Sequence, residues 1–115
     1  MKLIIRRDQK VQTGLLGGYK GVTFLLNTRV ELTPQEHELV RRYKAEEFAL
    51  TEPTLENGKA KPGITVGNLM QGVSKEAKGI TTLIKIEDDI KENCKALKIL
   101  LAFMATFGGE EVVEF

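Results

Sequence analysis

The residues best suited to binding chemistry gather around a glycine-rich segment near the start of the chain. Residues 13–21, with the sequence TGLLGGYKG, include four glycines. Glycine adopts positive φ readily and lets a ligand approach the main chain closely. Basic and aromatic residues lie in or beside this segment: Arg6, Arg7, Lys10, Tyr19 and Lys20. Backbone N–H groups, cations and one aromatic ring can together hold an anion, a nucleotide or a nucleic-acid strand.

We therefore predict a ligand- or partner-binding site at this segment. Its residues are Arg6, Arg7, Gly17, Gly18, Tyr19 and Lys20. The pattern matches neither the phosphate-binding loop G-x-x-x-x-G-K-[ST] nor the dinucleotide motif G-x-G-x-x-G. The alternative interpretation is a flexible hairpin tip without a ligand.

Residue types offer little support for catalysis or metal binding. His37 is the only histidine and Cys94 the only cysteine. We expect His37 on the outer surface of a helix, and Cys94 as a small buried hydrophobic residue. Because no nucleophile–base pair and no set of metal ligands is readable, the sequence predicts no catalytic residue, no metal site and no cofactor.

Two further charged groups have simpler interpretations. The acidic residues Glu87, Asp88, Asp89 and Glu92 are expected to be scattered over the solvated face of a helix, with i,i+4 partners among nearby lysines. Arg41, Arg42 and Lys44 come at the end of another helix, where positive charge favours the helix dipole. They are a second basic patch if the protein binds nucleic acid.

Composition limits the class of protein. The chain has 115 residues, 42% hydrophobic and 29% charged, which is typical of one folded domain spanning residues 1–115 and argues against disorder. Its net charge of +1 shows no basic excess of the kind most nucleic-acid binders have. The longest apolar run, which begins at residue 99, is far below the roughly 20 residues of a membrane-spanning helix. We expect a cytoplasmic protein with no membrane association.

The elements that would position the binding residues begin with a hairpin. Residues 2–10 and 22–32 read as strands, and the second alternates apolar and polar residues with period two. Being close in sequence, they are expected to pair antiparallel around the glycine-rich tip. Thr33, Pro34 and Glu36 then form the capping box of a helix that runs to about Ala45.

The middle of the chain is less regular. Residues 48–51 and 64–66 are candidate short strands, and residues 67–72 a helical turn. Between them, Asn57-Gly58 is the strongest short hairpin signal. Ser74 is placed at a helix start.

The last third of the chain predicts one long helix over residues 80–107. Its apolar residues recur every three or four positions: Leu83, Ile86, Ile90, Cys94, Leu97, Leu101 and Met104. Gly108 and Gly109 are expected to end it, and residues 110–115, EEVVEF, to form a C-terminal strand. Its second half is apolar nearly all round, which predicts either a dimer interface at Leu100, Phe103 and Phe107 or a fully enclosed core helix.

These expectations combine into an α+β fold: an antiparallel sheet, made of the N-terminal hairpin plus the C-terminal strand, packed against one short and one long helix. The predicted function is a small non-enzymatic interaction protein, a homodimer that captures an acidic protein or an anionic small ligand or nucleotide through the hairpin tip. The alternatives are a nucleic-acid-binding accessory protein and a phage or mobile-element protein that inhibits a host factor. An enzyme is the least favoured interpretation.

Overall fold

The structure is a computed structural model that describes residues 1–52, 54–61 and 63–115, without the side chains of Tyr19, Lys20, Glu56 and Lys61. The fold is α+β, as predicted. In chain order the elements are β1 (Lys2–Thr13), β2 (Tyr19–Glu31), α1 (Pro34–Arg42), a 3-10 turn (Ala45–Glu47), β3 (Thr54–Glu56), β4 (Lys59–Lys61), α2 (Val66–Gln71), β5 (Val73–Ala77) and α3 (Ile80–Met104).

The main sheet has the strand order β1-β2-β5, and both of its pairings are antiparallel. The predicted hairpin is confirmed, and its register runs from Lys2 opposite Glu31 to Thr13 opposite Tyr19. The period-two pattern of β2 is also confirmed, since Leu26 and Val30 are buried while Asn27 and Arg29 are exposed. One face of the hairpin therefore packs on the core.

The third strand is not the one that the sequence predicts. Residues 110–115 contain no strand, and the prediction of a C-terminal strand in the sheet is wrong. Its place is taken by β5, which pairs with Phe24–Thr28 of β2 and includes Ser74, predicted to begin a helix. The sequence VSKEA has weak strand character, so pairing with a central strand outweighs local propensity here.

Helix α3 carries the core face. Its buried residues include Leu83, Ile90, Cys94, Leu97, Leu101 and Met104, and Ile86 packs partly buried against them, which confirms the predicted stripe. The helix ends at Met104 rather than 107. Thr106 donates its backbone N–H and its hydroxyl to the Phe103 carbonyl, which tightens the last turn, and Gly108 follows with φ +92°.

Helix α1 begins as the sequence predicts. The Thr33 hydroxyl accepts from the Glu36 N–H at 3.2 Å, and the Glu36 carboxylate accepts from the Thr33 N–H at 2.9 Å. The helix stops at Arg42, three residues earlier than expected, because Lys44 adopts a left-handed conformation with φ +51°. Val40 is its buried residue, and Leu39 and Tyr43 pack partly buried against the core.

In the middle of the chain, the structure confirms the predicted turn but not the two predicted short strands. Asn57 and Gly58 have φ of +53° and +75° and join β3 to β4, so the predicted Asn-Gly hairpin is confirmed. The two predicted short strands reduce to one isolated bridge between Ala49 and Thr65. Val66 instead opens α2, which places Leu69 in the core as predicted for a helical turn.

Candidate functional site

The hairpin of β1 and β2 packs on the core along only part of its length. Leu3, Ile5 and Phe24 contact the core cluster, and Phe24 lies opposite Gln9. We call residues 2–8 and 24–31 the hairpin base and residues 9–23 the arm. The protein measures 68 × 35 × 26 Å with a radius of gyration of 18.5 Å. A compact chain of this length has a radius of gyration of roughly 13 Å, so the arm projects well beyond the body.

The tip of the arm is closed by its own main chain. The Gly14 N–H donates to the Gly18 carbonyl at 2.7 Å, and the Gly17 N–H donates back to the Gly14 carbonyl at 2.9 Å. Gly17 has φ +79°, a conformation that glycine adopts without steric cost. This turn exposes Leu15 and Leu16 completely, at 107% and 101% of their reference areas. The tip is therefore a convex surface with an apolar end.

The arm is held by cross-strand contacts rather than by the core. Gln12 donates its amide to the Thr23 hydroxyl at 3.0 Å, and the register shifts by one residue beyond Gln12, which marks a bulge. By sequence its charged residues are Lys10 and Lys20, with no acidic residue in positions 9–23. The side chains of Tyr19 and Lys20 lie outside the described part of the structure.

Arg6 and Arg7, predicted together as anion ligands, lie on opposite faces of the sheet because neighbouring residues of a strand alternate. Arg6 is exposed and forms an ion pair with Asp8 at 2.9 Å. Arg7 lies on the core face, opposite Leu26. Its guanidinium donates two hydrogen bonds to the Glu87 carboxylate of α3, at 2.5 and 2.9 Å.

The position of Glu87 corrects one prediction. It was expected on a solvated face, but it is buried, with its side chain only 8% exposed. The hydrogen bonds from Arg7 hold the pKa of Glu87 below its usual range, although burial acts in the opposite direction. A signal was present in the sequence, because Glu87 lies four residues after Leu83 and three before Ile90, on the apolar stripe itself.

The residues of the predicted binding site are thus separated along the hairpin. Arg6 and Arg7 lie in the base, whereas Gly17 and Gly18 lie at the tip. The six residues from Arg7 to Thr13 span about 20 Å of strand. The structure brings Arg7 to Glu87 instead of to the glycines, and it leaves Lys10 on the arm as an exposed cation.

The predicted dimer interface lies at the opposite end of α3 from Glu87. Phe103 and Phe107 are exposed, and Leu100 packs partly buried against the core. The Phe107 ring meets Tyr43 and Phe103 edge-to-face, with centroid distances of 5.0 and 5.3 Å. With the exposed Ile99, these rings make an apolar face on the surface of the body.

A groove of about 700 Å³ runs between α1 and the end of α3. Leu39, Leu101, Ala102 and Ala105 contribute its apolar surface, while Glu38, Arg42 and Lys98 lie among its polar residues. Glu38 is already paired with Arg41 at 2.5 Å and with Arg42 at 3.7 Å. The groove therefore offers apolar area with a charge-balanced rim.

The single histidine and the single cysteine of the sequence do not line the groove or the apolar face. His37 is exposed on α1, and Cys94 is buried in α3, where burial raises the pKa of its thiol. Among residues 1–52, 54–61 and 63–115, no three His, Cys, Asp or Glu side chains are grouped so as to hold a metal ion. In the part of the chain that the structure describes, no helix has both the length and the apolar character needed to cross a membrane.

Comparisons of the chain with models of protein families, with curated proteins and with solved structures find no match.

Proposed function

We propose that the protein is a non-enzymatic interaction protein, active as a homodimer, that engages an acidic protein partner through the arm. One observation carries the proposal: the arm projects beyond the body and ends in two fully exposed leucines. Leucine pairs of this kind normally lie in a core, and an exposed apolar tip on a projecting hairpin suits insertion into a partner.

The shape of the tip favours a macromolecule over a small ligand. Binding sites for small molecules are concave and enclose most of the ligand. Here the amides of Gly14 and Gly17 are used within the turn, and Leu15 and Leu16 face solvent. A convex tip of this kind fits a cleft in a larger partner.

Charge and apolar area together favour a protein partner. The arm carries only basic charged residues, which favours an acidic surface around the cleft. The leucines need an apolar pocket, which is more typical of a protein surface than of a nucleic-acid groove. The overall net charge of +1 also lacks the basic excess of a general nucleic-acid binder.

The homodimer is supported by the exposed apolar face of α3. Ile99, Phe103 and Phe107 lie together on the surface, and a two-fold pairing of such faces is the commonest closed arrangement. Phe103→Glu is expected to shift native mass spectra from dimer to monomer. The control Leu55→Glu alters an exposed apolar residue on β3, outside this face, and should leave the dimer intact.

Site-specific photo-crosslinking in the source cell tests the arm. A benzophenone amino acid at position 16 should yield one crosslinked product of defined mass, whereas the same probe at the exposed position 55 should not. Protease and nuclease digestion then distinguish a protein partner from a nucleic acid. Equal products at both positions, no product at position 16, or a nuclease-sensitive product would overturn the proposal.

A charge-reversal pair tests whether the identified partner is recognised through its acidity. Lys10→Glu should weaken binding, because a cation beside the acidic cleft is replaced by an anion. The remaining binding should depend less on salt concentration. Lys59→Glu makes the same change at an exposed position of β4 and should bind as the unaltered protein does. Equal weakening by both variants would mean that only net charge matters.

A further inference from the structure

The C-terminal segment, residues 110–115, has the sequence of a strand but no strand partner in the described chain. Each of its six residues is exposed, and Phe115 is 118% exposed at the very end. Val112, Val113 and Phe115 favour extended structure, and three glutamates accompany them. The segment is therefore acidic, apolar and available for pairing.

A matching unpaired edge exists elsewhere in the fold. The order β1-β2-β5 places the 12-residue strand β1 at the edge of the sheet, so its outer backbone groups have no strand partner among the described residues. Such an edge accepts an added strand through main-chain hydrogen bonds. The first half of β1 is the part supported by the core, through Leu3 and Ile5.

On the outer face of the sheet, the two segments are complementary in charge and in apolar character. On the outer face of the sheet, β1 presents Lys2, Ile4 and Arg6, spaced by two residues. The C-terminal segment has the complementary alternation Glu110, Val112 and Glu114. In an antiparallel register with Val112 opposite Ile4, Glu114 lies opposite Lys2 and Glu110 opposite Arg6. Opposite charges and apolar residues in such cross-strand positions each stabilise the pairing.

On the inner face this register sets Val113 opposite Leu3 and Glu111 opposite Ile5, both of which pack against the core. Val113 adds an apolar contact there, whereas Glu111 gains no oppositely charged partner, so the outer face carries most of the complementarity. On the outer face Arg6 is paired with Asp8, but both groups are exposed, and such an ion pair is weak enough to be exchanged.

In each copy, the start of β1 and the C-terminal segment lie on the same side of the molecule. The amino group of Met1 pairs with Glu36 at 2.9 Å, and Glu36 lines the same groove as Lys98 and Ala105 near the end of α3. The start of β1 and the origin of the C-terminal segment therefore share one end of the body. The exposed face of Phe103 and Phe107 lies beside it.

We propose that residues 110–115 of each protomer add as an antiparallel strand to the β1 edge of a second copy of this chain. The inference rests on the proposed homodimer and states how it is built. A second copy is the fitting occupant because it covers the apolar face of α3 and pairs the C-terminal segment in one interface. The resulting exchange is two-fold and closed.

Charge reversal on each side, followed by mixing, tests the exchange. Glu110→Lys with Glu114→Lys in one protein, and Lys2→Glu with Arg6→Glu in another, should each raise the dimer dissociation constant by about tenfold or more. An equimolar mixture should recover a tight heterodimer, because each C-terminal segment then meets an edge of opposite charge. The control Glu47→Lys with Glu52→Lys makes the same charge change at exposed positions and should not weaken the dimer.

The outcomes separate this inference from the homodimer itself. If both charge-reversed proteins dimerise as tightly as the unaltered chain, the exchange is overturned while the α3 interface stands. If they dissociate but mixing restores nothing, the segment pairs with its own β1, and the exchange is again overturned. An unaltered protein that stays monomeric in native mass spectra at high concentration overturns both. Circular dichroism melts of each variant exclude unfolding as the cause of dissociation.

Discussion

The hairpin base and the arm are made of the same two strands, yet different forces hold them. In the base, Leu26 is fully buried, Phe24 packs on the core, and Arg7 is fastened to Glu87 of α3. In the arm, described side chains such as Gln12 and Thr23 contact each other across the strands, and Leu15 and Leu16 contact solvent.

The difference separates the part of the hairpin that stabilises the body from the part to which the proposed function assigns recognition. Residues of the base are constrained by packing, since a change there leaves a cavity or an unpaired buried charge. Residues of the arm carry few such constraints, so their side chains are free to suit a partner. The Arg7–Glu87 pair lies close to the boundary and ties β1 to α3.

Leu26→Ala should have the largest effect. This side chain is fully buried in the hydrophobic core, so its truncation is expected to cost about 2–5 kcal/mol of unfolding free energy. Urea titration followed by circular dichroism measures the change. The equivalent truncation Val11→Ala, in the exposed part of β1, should cost far less. Similar losses at both positions would erase the distinction between base and arm.

Glu87→Gln should destabilise the protein less than Leu26→Ala, and in a pH-dependent way. The folded-state pKa of Glu87 is lowered, chiefly by the hydrogen bonds from Arg7. Its stabilising contribution is therefore complete above the unfolded-state value of about 4.3 and is lost as pH falls through the folded-state pKa. The stability difference between the two proteins should be largest near neutral pH and shrink in acid.

The matched control for that experiment is Glu92→Gln. Glu92 lies on the same helix, and its pair with Lys95 at 3.0 Å is exposed on both sides. Removal of an exposed pair should change stability little at any pH. A loss in the Glu87 variant that stays constant from neutral to acid pH would argue against the ion pair as its cause.

Shortening the arm should leave the body folded. Replacing residues 11–22 by Asn-Gly keeps Lys10 opposite Thr23 and closes the hairpin with a favoured two-residue turn. We expect a change in unfolding free energy below about 1 kcal/mol, because the removed residues contribute little to the core. Binding to the partner identified by crosslinking should be lost. An unfolded product would show that the arm is needed by the fold.

Leu16→Ser should have the smallest effect on stability, within about 0.5 kcal/mol, because the side chain is fully exposed. Under the proposed function it should still weaken partner binding measurably. A thermal melt and a binding titration on the same preparation measure stability and partner binding. The change at Leu16 should lower binding without lowering stability, whereas the change at Leu26 should lower stability. Unchanged binding would remove the tip from the interface.

Features encoded within a few residues were readable from the sequence. The capping box at Thr33, the Asn57-Gly58 hairpin and the stripe along α3 are each confirmed. All three depend on contacts between near neighbours, so the pattern and its structural cause occupy the same short window. The glycine-rich segment as a hairpin tip is predictable for the same reason.

Tertiary structure decided what depends on residues far apart in the chain. The pairing of β5 with β2 joins positions almost 50 apart, and Arg7 meets Glu87 across 80 positions. The pairing of β5 has no local signature, so the sequence predicts Ser74 at a helix start. For Glu87 the apolar stripe indicates burial, but nothing near it in the sequence indicates Arg7 as its partner. How far the hairpin projects beyond the body also depends on which of its residues pack on the core, and these are Leu3, Ile5 and Phe24 among others. The sequence by itself determined the hairpin, the capped helix α1 and the apolar stripe of α3, because each depends on residues close together in the chain. The tertiary structure decided the third strand, the partner of Glu87 and which part of the hairpin packs on the core, because each depends on residues far apart.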